Sequence, residues 1–248
     1  MTKQLFIYEN ATPISASRHG DMSVRTGEDW GFAARINSAP LLIGEFAAAA
    51  RNLPIVFAGT AERVIPIVVL GVRDQQNVFI DANGKWAPDY TPAFLRQYPF
   101  VLGQTAESPN FILCLDETFP GCNREGRGER LFDSEGRRTA YLDKMIDFAK
   151  EYQRQFTLGQ QLGAKLAELG LLEPMRATFR TPDGTEQLQG FQTVRREKLM
   201  ALKPEEIAGL HASGMLEAIY LHLFSLANFR QISRALEAGA TEAVAETV

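Results

Sequence analysis

Cysteine and histidine are scarce in this chain. Two cysteines, Cys114 and Cys122, and three histidines, His19, His211 and His222, occur in 248 residues. Two thiols make no disulfide framework. Cys114 sits in the apolar run FILCLDE, where a cysteine acts as a small hydrophobe. No C-x-x-C and no H-x-x-x-H pair occurs, so the spacing predicts no metal site. His211 and His222 would share a face only on one continuous helix, which Gly214 interrupts. Both read as solvated or helix-end residues.

Charge of one sign is lacking too. The net charge is −4, with acids and bases interspersed. That gives no basic face of the kind that displaces counterions, so no nucleic-acid partner is expected. Long apolar runs are also missing. The N-terminus offers only LFIY before Glu9, short of the about 7–15 apolar residues of a secretory signal. The longest aliphatic run, VIPIVVLGV at 64–72, is far below the roughly 20 residues of a membrane span. The expectation is a cytoplasmic chain with no span. No G-x-x-x-x-G-K-[ST] and no G-x-S-x-G occurs; GRGER at 126–130 lacks a strand-turn-helix context. No cofactor is expected.

What is present is a run of short elements. Ser38 as cap and Pro40 in the first turn predict a helix, with Leu41, Leu42, Phe46 and Ala49 or Ala50 as its stripe. PIVFAG (54–59) and VIPIVVLGV read as strands, the second central, with a bulge or an edge at Pro66. Asp81-Ala82-Asn83-Gly84 reads as a hairpin turn. LFIYE, MSVRT and FILCLDE read as further strands. Residues 118–138 are glycine-rich and charged, a long loop of functional or disordered character. From Thr139 the apolar period becomes helical, and Thr157-x-x-Gln160 predicts a second helix start. MRATFR and QLQGFQTV flank the turn TPDG. Helices are expected from Pro204 and from Met215. Strands thus cluster in the first half and helices in the second. The pattern predicts an α+β fold, an antiparallel sheet packed by helices, as a single domain over 1–236 with a frayed tail at 237–248.

The most pointed stretch is DYTPAFLRQYPFVLG, residues 89–103. Phe94 and Tyr98 are four apart and would share one side of a short helix, a spacing suited to core packing. Arg96 points to another side. It could pair with an acid, stack on an aromatic ring or hold a carboxylate. Arg18-His19-Gly20-Asp21 places a histidine near an aspartate, as a general base or as a turn. Glu45 falls at the edge of the predicted apolar stripe. Arg96, Tyr98, His19 and Glu45 are therefore the candidate ligand-binding residues. No catalytic set is legible.

Four segments carry a family resemblance: NSAPLLIGEFAAAARNLPIVFAG, NVFIDANGKWAPDYTPAFLRQYPF, RLFDSEG and LHLFSLANF. In this order they resemble the SapC family of bacterial proteins, over roughly residues 5–235. The family takes its name from a protein encoded beside surface-layer genes. The resemblance implies an accessory or binding role in surface-layer or envelope export or uptake, and it implies no reaction. The expected partner is a protein, or a small carboxylate or peptide ligand. An enzyme acting on such a ligand is the alternative, with Arg96 on the carboxylate and His19 or Glu45 as base.

Overall fold

A computed structural model describes residues 7–27, 29–60, 63–105, 108–181 and 184–245, with side chains undescribed at 104–110 and beyond 237. The fold is α+β, with antiparallel sheets and helices concentrated in the second half. The chain opens with β1 (Ala11–Pro13), the short helix α1 (Ala16–His19) and β2 (Ser23–Val24). Then come β3 (Ser38–Pro40), α2 (Phe46–Ala49), β4 (Ile55–Thr60) and β5 (Arg63–Val69). The single turn α3 (Ala93–Arg96) leads into β6 (Phe100–Thr105) and β7 (Ser108–Asp116). Two short strands follow, β8 (Cys122–Asn123) and β9 (Glu129–Arg130), before the long helix α4 (Ala140–Glu168). The hairpin β10 (Leu172–Thr181) and β11 (Gly184–Val194) precedes α5 (Arg196–Met200), α6 (Pro204–Ala212), α7 (Met215–Ser225) and α8 (Phe229–Ala245).

Three sheets result, ordered β10-β11-β4-β5-β3, β1-β7-β6 and β8-β2-β9. The late hairpin joins the early strands through Gln192 opposite Phe57. The expected helix from Ser38 is a correction. Residues 38–40 are a strand paired with β5, because the exposed edge of β5 needs a partner. The helical turns begin only at Ile43. The apolar stripe is still buried throughout, Leu41, Leu42, Phe46, Ala49 and Ala50 alike. Pro66 keeps regular register with Phe57, and the carbonyl of Pro66 faces the Leu41 N–H. Its missing donor therefore points past the end of β3, where no ladder bond is lost.

Helix α4 is one uninterrupted element, not two. Thr157 does not cap a new helix; its hydroxyl donates to the Gln153 carbonyl at 3.0 Å, inside the helix. Gly163 lies against β5, and a Cβ there would sit 2.1 Å from the Val64 carbonyl oxygen. Buried Leu142, Ala149, Tyr152, Phe156, Leu162 and Leu166 face the core at helical spacing. The loop 118–138 is also ordered more than expected, since β8 and β9 both pair with β2. Strand β6 has no counterpart in the sequence reading. The Asn83-Gly84 turn is present, with Gly84 at φ 74°, but its arms form a single bridge pair, Ile80 with Trp86, rather than two full strands.

His222 is buried, against the solvated reading. The Val194 N–H donates to its Nε2 at 3.0 Å, so Nδ1 donates to the Ile55 carbonyl at 2.8 Å. Burial pushes its pKa down to about 4. Ser225 accepts from the Ile55 N–H at 2.9 Å, and the Asn228 amide donates to Ala50 O at 2.7 Å. The end of α7 and the turn after it thus complete backbone groups that β4, β11 and the end of α2 leave unpaired. LFIYE lies partly outside the described residues, as does the centre of TPDG. Beyond Glu237, residues 238–245 are described only as helical backbone.

Candidate functional site

His19 ends α1 and is fully buried. The Ser15 N–H donates to Nδ1 at 3.2 Å, which makes Nε2 the donor to Glu117 Oε1 at 2.9 Å. Glu117 also receives Arg18 on both oxygens, at 2.6 and 2.7 Å, and the Thr12 hydroxyl at 3.1 Å. Arg18, foremost, holds the Glu117 carboxyl down at about 2. The carboxylate beside His19 is therefore Glu117, not Asp21, which pairs with Arg124. Glu117 lies 98 positions away in sequence, and no local pattern marks it.

Glu45 is 6% exposed, and groups from its own turn and from residues 90–96 converge on it. Its Oε2 accepts from the Leu42 N–H at 2.9 Å. Its Oε1 accepts from the Ala93 N–H at 2.6 Å and the Tyr90 hydroxyl at 2.5 Å. Arg96 Nη2 stands 3.5 Å from Oε1 and 3.3 Å from the Tyr90 hydroxyl, and Arg96 Nε donates to the Thr91 carbonyl at 3.0 Å. The guanidinium also covers the rings of Tyr90 and Phe148, at 5.8 and 5.6 Å from their centroids. The structure thus brings Glu45 and Arg96 together, and the carboxylate that Arg96 faces is the protein's own.

Tyr98 belongs elsewhere, to the floor of a cleft of about 490 Å³. Phe32 stacks on Tyr98 with ring centroids 4.3 Å apart, and Phe119 meets it edge-on at 5.2 Å. Burial, and next the charge of Asp116, pushes the Tyr98 hydroxyl up to about 12. It keeps its proton at neutral pH. Asp116, fully buried, accepts from the N–H groups of Glu9, Asn10 and Thr118 at 2.7, 3.2 and 3.1 Å. It thereby draws two walls of the cleft together. The side-chain oxygen of Asn123 accepts from the N–H groups of Glu125 and Arg127, ordering the wall that loop 118–138 supplies. Two arginines, Arg25 and Arg127, and two acids, Glu9 and Asp29, line the same cleft. An aromatic floor under both signs of charge suits a small ligand with an apolar body and ionised ends.

Of the four sequence candidates, one lies in this cleft, two form a clasp beneath α3, and His19 holds the segment after β7. Phe32, Phe119, Arg25 and Arg127 were not singled out by sequence reasoning. They come from three separate segments with no common spacing. Among the described residues, no helix is long and apolar enough to cross a membrane. Comparison with curated proteins and with solved structures gives no match. The SapC family matches residues 14–232, nearly the whole chain, and the protein belongs to that family.

Proposed function

We propose that the protein is a cytosolic binding or accessory component of surface-layer or envelope export or uptake. Its cleft over Tyr98 takes a small carboxylate or peptide ligand. The observation that carries the ligand reading is the aromatic floor of Phe32, Tyr98 and Phe119 beneath two guanidinium and two carboxylate groups. In this reading the ligand's apolar part lies on the rings. Its carboxylate meets Arg25 or Arg127, and its amino group meets Glu9 or Asp29. Arg96, Glu45 and His19 act as positioning residues that hold the surrounding segments.

Native mass spectrometry of protein purified gently from its own host tests this. The expected result is a reproducible small added mass, lost in Phe32→Ala and weakened roughly tenfold in Arg127→Ala, as for a hydrogen bond to a charged group. A small mass retained by both variants would remove the cleft from the proposal. A co-purifying protein, lost when loop 118–138 is altered, would replace the small ligand with a protein partner.

A further inference from the structure

A second recess lies apart from that cleft, between α4 and the β1-β7-β6 sheet. Its volume is about 660 Å³, inside the roughly 300–1,000 Å³ range of small-molecule sites. Register sets Leu102 opposite Leu113, and Phe111 lies on the same face of the sheet. Leu142 and Ile146, one helical turn apart, form the facing wall. Phe111, 51% exposed, offers an apolar ring at the edge of the recess.

The ionisable residues that line the recess are Arg138 and Lys150, both cations, and Gln153 stands one turn beyond Lys150. Each cation pairs with an acid on α4, Arg138 with Asp143 at 3.0 Å and Lys150 with Asp147 at 3.5 Å. All four groups are more than half exposed, and such surface pairs contribute little, so an incoming anion can compete for either cation. The Lys150 pair is the longer of the two. Along α4, Leu142 and Lys150 stand roughly 12 Å apart by the helical rise, a length that an extended hydrocarbon tail can follow.

We propose that this recess binds a single-chain anionic amphiphile, a long-chain carboxylate. Its tail lies between α4 and the sheet, and its head group sits on Lys150 and the Gln153 amide. A hydrocarbon tail asks for no hydrogen bonds. A peptide in its place would bring N–H and C=O groups to walls of aliphatic and aromatic side chains.

The test is calorimetric titration of the intact protein with dodecanoate below its micelle concentration. Dodecanol, the same tail without charge, and butanoate, the charge without the tail, are the controls. Saturable dodecanoate binding at one site per chain is expected, roughly tenfold tighter than dodecanol, with no binding of butanoate. Ile146→Trp fills the recess and should weaken both long-chain probes. Lys150→Glu, at an exposed position and with its fold checked by circular dichroism, should weaken dodecanoate roughly tenfold and leave dodecanol unchanged. Absence of saturable binding, or binding indifferent to both substitutions, overturns the proposal. Self-association abolished by Phe111→Ser would give the recess to a second copy of the chain and overturn it equally.

Discussion

Protonated on Nε2, His222 would turn an N–H against the Val194 N–H that it now accepts. Its pKa is near 4 in the folded protein and 6.5 when unfolded. Between those values the unfolded chain binds more protons, so stability rises with pH through that window and falls as the pH drops from 6.5 to 4. The loss amounts to about 3 kcal/mol across the window. Urea unfolding at a series of pH values should show this slope, and His222→Gln should remove that component. A slope identical in the variant would assign it to other groups. The Glu45 clasp separates two side chains in the same way. Glu45→Ala strands the Leu42 and Ala93 N–H groups in a buried site, at a cost of about 2–4 kcal/mol. Arg96 is 43% exposed, and Arg96→Ala should cost only about 1 kcal/mol. Thermal unfolding of both variants checks the order, and equal losses would mean that Arg96 matters as much as the buried acid.

Among the elements, α4 shows how a local preference is overridden. Glycine inside a helix costs roughly 1 kcal/mol against alanine, so Gly163→Ala would stabilise an isolated helix. Here the added Cβ would meet the Val64 carbonyl oxygen at 2.1 Å, and β5 would have to move away. Gly163→Ala should therefore destabilise the protein by about 1–3 kcal/mol. A higher melting temperature in this variant would show that α4 and β5 are not so closely apposed. Thr157 shows the reverse. Its capping pattern is genuine as sequence, but a hydroxyl in mid-helix finds a carbonyl one turn back just as readily. Ser38 and Pro40 have the same ambiguity, since capping residues also suit a short edge strand, and β5 is what decides.

For the whole molecule, the two halves share one sheet and a set of buried hydrogen bonds from α7 to β4. We propose that they unfold together as a single domain. Trp30 and Trp86, the two tryptophans, lie in the first half, whereas α4, α6, α7 and α8 lie in the second. Tryptophan fluorescence and helical circular dichroism should therefore give coincident denaturant transitions. Separated midpoints would divide the chain into two units.

The fold class, the large apolar faces and the strands β2, β4, β5 and β7 of the first half were legible in the sequence. Each rests on periodicity, turn residues and runs that act over a few neighbours. The family resemblance was legible in the order of four segments. Tertiary structure alone decided that β11 joins β4, that Ser38–Pro40 is a strand, and that His222 is a core residue. It also decided which carboxylates meet His19 and Arg96, and which side chains share the cleft with Tyr98. Those outcomes depend on partners far apart in the chain. A buried backbone group or charge takes whichever partner packing brings within hydrogen-bond reach, and no local pattern encodes that distance.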